Sequence, residues 1–479
     1  TYNLIMTNED AAKANGNFVT NFKSVVAKDD HTLVITTKAP QATMLALDIP
    51  IVPEHIWKGQ NPKTYKPEDH TPTVGDGPFI LTDYKAGQYV KFKANKNYWR
   101  GAPKIDQLVF QEFANPDAAV QALQKGEVDL ISGTNAAQTK ALEKDKNITV
   151  NKAQGKRFTE LSINTGAETT KGVPIGDGNP ALKDKRVREA ISMAVDRKTI
   201  VNKVLQGYAE PADGYIPALY KTYHWSPAPS EKIGFDLKKA NQILDQAGYK
   251  KGSDGIRTMP GSGEKLNLRF EGHNEAPEEL QIGNYLKSWL KQIGIGLKVT
   301  VVSDTKLNDD LPKGKFDLLM GGWTVNPDPD YVLNIQRCDA RPSTPGGSST
   351  TDQYYCSKKY DQLYDQQLST FDQAKRAAIV KHMQQVMYDD IPSIMIDYPE
   401  TVEAYRSDRW KPFQTQPDPG GRILGQDGFW GIYSADPKAG SGGGNGATIG
   451  ITAGVVVVVA AAAGFVFLRR RGATADERE

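Results

Sequence analysis

Lys265–Phe270 (KLNLRF) and Leu297–Val302 (LKVTVV) read as two short strands, and the stretch between them, roughly Glu278 to Ile293, reads as a helix. Antiparallel neighbours need only a tight turn, whereas parallel neighbours need a crossover of a dozen residues or more. This unit therefore commits its part of the chain to a parallel pair with a helix packed on it. Alternation and β-branched or aromatic content give further strands at Thr32–Thr37 (TLVITT), Tyr89–Ala94 (YVKFKA) and Gln107–Phe113 (QLVFQEF). Asn115 to Gly126 reads as a short helix ended by Gly126. Leu182 to Gly207 is the clearest helical region. Val187, Ala190, Ile191, Ala194 and Val195 share one face, Asp196 caps a second helix carrying Ile200, Val201, Val204 and Leu205, and Gly207 ends it. All of these are core positions. The class is α/β, and no short-period repeat runs through the chain.

With 479 residues the chain is too long for one hydrophobic core, so two or more lobes are expected. Its 59 basic and 57 acidic residues are interspersed and leave a net charge of +2, which provides no field for nucleic acid.

The sharpest change of composition lies at the C-terminal end. Residues 438–446 form a Gly/Ser-rich linker, and 447–468 are about 22 residues without a charge, enough to cross a bilayer as a helix. Arg469, Arg470 and Arg471 follow at once. This is a stop-transfer pattern; the positive-inside rule places the tail 469–479 in the cytoplasm and everything before the helix outside. The alternative, a buried core helix, leaves the tether and the arginines without a purpose.

That topology bears on the two cysteines. Cys338 and Cys356 flank a segment rich in Pro, Gly, Ser and Thr. They are either two free thiols or a disulfide closing a loop of about 18 residues, worth on the order of 3 kcal/mol by chain entropy. An extracellular position favours the disulfide.

Markers of chemistry are missing. The six histidines are scattered, with no pair at i, i+3 or i, i+4, so no metal site is expected. Neither a phosphate-binding loop of the G-x-x-x-x-G-K-[ST] type nor a G-x-S-x-G elbow occurs. Acid pairs such as Asp389/Asp390 and Asp328/Asp330 read as solvated or capping residues. No cofactor and no catalytic residue are expected.

A series of blocks carries a resemblance. Gly75-Asp76-Gly77-Pro78-Phe79-Ile80-Leu81 and Asn95-Lys96-Asn97-Tyr98-Trp99-Arg100-Gly101-Ala102-Pro103-Lys104-Ile105-Asp106 are followed by ALQKGEVDL (122–130), VREAISMAVDRKTI (187–200) and FDLKKANQILDQAGY (235–249). Gly321-Gly322-Trp323 and Pro392-Ser393-Ile394 complete the series. In this order, over about residues 1 to 415, they resemble family 5 of the solute-binding proteins of ABC transporters, the bacterial oligopeptide- and dipeptide-binding family. The opening residues resemble a point well inside the mature chain of that family, which implies that residue 1 is not the natural start and that on the order of 100 residues and an export signal precede it.

The resemblance implies a two-lobed periplasmic-binding-protein fold of class II with an extra subdomain, closing on its ligand about a hinge. Residues 1–73 would be a remnant of the extra subdomain of lobe I, 74–157 lobe I, 158–400 lobe II and 401–437 the return to lobe I. It implies capture of a peptide or similar small solute by a monomeric ectodomain, which delivers it to a membrane permease with separate ATPase subunits.

In peptide-binding members an Asp three residues after the Trp pairs with the peptide α-amine. Here that residue is Asn326, which keeps a hydrogen bond and loses the charge. An Arg three residues before the Trp holds the carboxylate in some members, and here it is Met320. Asp328 or Asp330 would replace the first anchor through a shifted loop. Trp323 is either core or a ring at the cleft wall, where it would stack on a solute. Arg157, Phe158, Glu160 and Asn164 resemble the family's hinge-strand segment; for Arg157 and Glu160 the alternative is an exposed strand pair. The two missing anchors keep open a neutral solute such as an oligosaccharide. A membrane-anchored hydrolase and a purely structural surface protein are the readings from other classes.

Overall fold

The computed structural model describes the chain apart from residues 9–10, 13–15, 17, 48, 114, 348, 425–429, 440–455 and 463–479. The chain divides into two units. The first holds Thr1–Thr36, Asp48–Gln154 and the described residues from Glu400 onward; the second holds Thr37–Leu47 and Gly155–Pro399.

The first unit is built on a seven-stranded sheet in the order Phe79–Lys85, Tyr89–Ala94, Gln107–Phe113, Val456–Ala462, Leu130–Ser132, Thr401–Arg406, Ile148–Ala153. The helix Pro116–Lys125 buries Ala119, Val120, Ala122 and Leu123. It starts where the Asn115 side chain accepts from the Ala118 N–H and stops at Gly126, which takes the left-handed conformation at φ 76°. Glu403 is buried in the sheet, and its carboxylate accepts from the Ile423 and Leu424 N–H groups, both at 2.7 Å, and from Asn151 Nδ2 at 2.9 Å. It thereby fixes the returning chain to the strand.

Here the structure differs from the sequence reading. Val456–Ala462 is a strand, parallel to both Gln107–Phe113 and Leu130–Ser132, where the sequence reading places the middle of a membrane-crossing helix. A valine-rich run without charges suits a central parallel strand as well as a bilayer, and hydrophobicity alone does not separate the two. The flanks of that helix, 447–455 and 463–468, lie outside the described residues. Among the described residues no helix is long and apolar enough to cross a membrane.

The second unit carries a six-stranded sheet in the order Gly296–Val302, Asn267–His273, Leu318–Thr324, Arg157–Ile163, Ser393–Pro399, Ala209–Pro211. Asn267–His273 and Gly296–Val302 pair in parallel from Asn267↔Gly296 to His273↔Val302, with the helix Pro277–Gln292 as crossover. Strand alternation supplies two cores, one on each face. Leu161, Ile163, Leu318 and Met320 join the core formed with Val187, Ile191, Leu286 and Leu290. Phe158 and Trp323 join the other, with Tyr215, Tyr360, Val380 and Met383. Cys338 and Cys356 form a disulfide.

Candidate functional site

In an α/β sheet, ligands gather at the carboxyl ends of the parallel strands, where loops diverge and side chains are free of the ladder. In the second unit that end is marked by His273, Val302 and Thr324. The antiparallel strand Arg157–Ile163 begins there, with Arg157 opposite Thr324 and the Val325 N–H donating to Lys156 O at 2.8 Å. Asn326 follows directly, half-buried, with no side-chain hydrogen bond among the described residues. The chain also enters and leaves the unit at this end. Gly155 and Pro399 run so close that a Cβ on Gly155 would lie 2.0 Å from Pro399 O, so only glycine fits.

Arg157 is the unusual group. Half-buried, it makes no side-chain hydrogen bond or ion pair among the described residues, and its Nη1 is sealed from solvent without an acceptor. Burial pulls its pKa below the ordinary arginine value, against the opposing charges of Glu279, Asp397, Asp352 and Glu160. Two of these belong to the same edge. Asp397 is buried, accepts from Thr159 Oγ1 at 3.3 Å, and is pushed up to about 7 by desolvation. Glu279 accepts from the His273 backbone N–H at 2.7 Å and lies 2.8 Å from His273 Nδ1. Burial pulls the His273 imidazole down, but Glu279 and Asp304 outweigh it, and the net shift is upward.

The remaining residues singled out in the sequence fall elsewhere. Asn164 stands past the far end of the strand from Arg157, about 20 Å away at the usual rise per residue. Its Nδ2 donates to Gly314 O and Phe316 O, and its Oδ1 accepts from the Gly166 and Ala167 N–H groups. It is a fully used loop staple. Phe158 is core, edge-on to Tyr215.

Trp323 is also core: it is 0 % exposed, its Nε1 donates to Asp352 Oδ2 at 2.5 Å, and its ring is 5.6 Å from that of Tyr331. The glycines before it serve strand contact. Gly322 adopts φ 153°, and a Cβ there would lie 2.1 Å from Phe158 O. Met320 is core as well.

Asp328 is not available as a shifted anchor, because both its oxygens are held by Arg376, at 2.6 and 2.8 Å. Asp330 accepts from Gln367 Nε2 at 2.8 Å.

Glu160 is buried in mid-strand, accepting from Ser162 Oγ at 3.1 Å and Gln353 Nε2 at 2.9 Å, with Oε2 unpartnered; desolvation and then Asp352 push it up to about 8. Asp352, Gln353, Asp397, His273 and Glu279 were not singled out by sequence. Asp397 alone offered a signal, as a single acid within the apolar strand run Ile394-Met395-Ile396-Asp397-Tyr398.

Among the described residues no group of histidines, cysteines and acids could hold a metal ion. The site is a wall with one uncommitted cation, one uncommitted amide and a ring of engaged carboxylates, which suits binding and offers no nucleophile-base pair.

The profile of the family described as "Bacterial extracellular solute-binding proteins, family 5 Middle" matches residues 1–342. The oligopeptide-binding protein AppA of Bacillus subtilis is 29% identical over 390 residues, covering 76% of this chain and 68% of that one. The dipeptide-binding protein of Escherichia coli is 27% identical over 390 residues, covering 79% and 67%. Among solved structures, NikZ from Campylobacter jejuni in complex with Ni(L-His) superposes with a TM-score of 0.70 at 25% identity, over 87% of this chain and 78% of that one. AppA from Bacillus subtilis in complex with a nonapeptide gives 0.72 at 24%, over 91% and 82%. These structures share the two-lobed α/β architecture. The match over residues 1–342 identifies the chain as a member of the family 5 bacterial extracellular solute-binding proteins.

Proposed function

We propose that the chain is the peptide-capturing component of an ABC importer: it binds di- or oligopeptides outside the cytoplasm and delivers them to a permease whose ATPase subunits are separate chains. The observation that carries this is the free guanidinium of Arg157 and the free amide of Asn326, both at the carboxyl end of the second unit's sheet. The peptide-binding relatives give the solute class. Thermal unfolding against a panel of di- to hexapeptides tests it. A ligand at about 100 times its dissociation constant stabilises by about 2.7 kcal/mol. Stabilisation by peptides is the expected result, and stabilisation by oligosaccharides alone contradicts it.

The proposal includes a monomeric binding domain tethered to the outer face of the membrane by 447–468, with the C-terminus cytoplasmic. Its support is the Gly-rich linker, the charge-free run and the three arginines that follow. A tether of this kind keeps the binder at high effective concentration near its permease. The strand at Val456–Ala462 and a bilayer-spanning helix exclude each other. Retention of the expressed chain in carbonate-washed membranes is expected; full release would place the run in the sheet.

A further inference from the structure

The wall around Arg157 also bears on which charge of the solute is recognised. Four acids act on Arg157, and each has a partner elsewhere: Glu279 in His273, Asp397 in Thr159, Asp352 in Trp323, and Glu160, through one oxygen, in Ser162 and Gln353. The guanidinium keeps a buried donor without an acceptor. A desolvated cation with unmade hydrogen bonds is costly, and a planar carboxylate that accepts two parallel N–H groups is the partner that best relieves it. On the loop after Trp323, the acids that would meet an ammonium are absent or spent. Asn326 carries no charge, Asp328 has both oxygens on Arg376, and Asp330 accepts from Gln367.

Resting on the peptide-capture reading, we infer that this wall takes its solute by an anionic group, a carboxylate, with Arg157 as the specificity-determining residue, and that the solute's α-ammonium is dispensable. A C-terminal carboxylate and an acidic side chain present the same chemistry to the guanidinium.

The test is calorimetric titration of the whole chain with a peptide that binds in the panel, in three forms: free, N-acetylated and C-amidated. N-acetylation is expected to change the dissociation constant by less than about threefold. C-amidation is expected to raise it tenfold or more, which corresponds to about 1.4 kcal/mol. If an amidated peptide binds tightly only when it carries Glu and loses that affinity with Gln, the recognised carboxylate is the side chain's.

Arg157→Gln is expected to weaken the free peptide by the same factor as amidation and to abolish the distinction between acid and amide. Arg157→Lys, which keeps the charge and loses the fork, should fall between. A tenfold loss on N-acetylation with none on amidation overturns the inference, and so does discrimination that survives in Arg157→Gln. If Arg157→Gln does not fold, the three forms on the parent chain decide the matter alone. Binding by no peptide in any form overturns the capture reading, and this inference with it.

Discussion

Replacing Arg257 by methionine is expected to lower the unfolding free energy by about 2–5 kcal/mol. The Arg257 side chain is 1% exposed and spends its donors in five directions. Nε donates to Ile293 O at 2.7 Å, Nη1 to Asp245 Oδ1 at 2.6 Å and to Tyr249 O, and Nη2 to Asn241 Oδ1 at 2.9 Å and to Asn241 O at 3.3 Å. These bonds tie the helix Leu237–Gln246 to the C-terminal end of Pro277–Gln292. Methionine replaces the stem and none of the donors, leaving the carbonyls of Ile293 and Tyr249 desolvated without partners. Denaturant unfolding of the second unit's transition measures the loss, and a change below about 1 kcal/mol would contradict this account of the residue.

Glu160→Gln is expected to stabilise the protein, and only at high pH. In the fold Glu160 titrates at about 8, against 4.5 for an unperturbed glutamate, because burial and then Asp352 disfavour its charge. Between those values the folded chain holds a proton that the unfolded chain has released. Stability therefore falls as pH rises from about 4.5 to about 8, and levels off above it. Glutamine has no proton to lose and can still accept from Ser162 and Gln353. Parent and variant should match near pH 5, and the variant should be more stable by a few kcal/mol at pH 8.5. Asp397, held at about 7 by desolvation, adds a drift of the same sign in both chains. A parent that gains stability over the variant as pH rises would show Glu160 to be ionised in a satisfied pair.

The parallel pair in the second unit was legible because Lys265–Phe270 and Leu297–Val302 alternate and the amphipathic stretch between them has crossover length. The structure pairs them as Asn267–His273 and Gly296–Val302. The run at Val456–Ala462 is ambiguous in sequence, since consecutive valines and alanines carry no period by which to separate strand from membrane helix.

At the candidate site the sequence reading named residues on the strands Arg157–Ile163 and Leu318–Thr324, whose side chains the structure gives different surroundings. Trp323 after two glycines reads as a ring at the cleft wall rather than core, and the deciding partner, Asp352, comes 29 positions later in a loop without a motif. Asp328 looked free because Arg376 lies 48 positions away, on the helix Gln373–Asp390. Arg157 and Asn164 read as one hinge segment, yet strand geometry sets them at opposite ends of the sheet. What made Arg157 stand out was a missing partner, and a missing partner leaves no trace in a sequence.

The most direct test of the central claim is amide hydrogen exchange with and without a saturating peptide from the panel. Slowed exchange is expected, concentrated at residues 155–160 and 323–327, the two segments that carry Arg157 and Asn326 to the carboxyl end of the sheet. Peptide-dependent stabilisation with protection elsewhere and none in these two segments would contradict it.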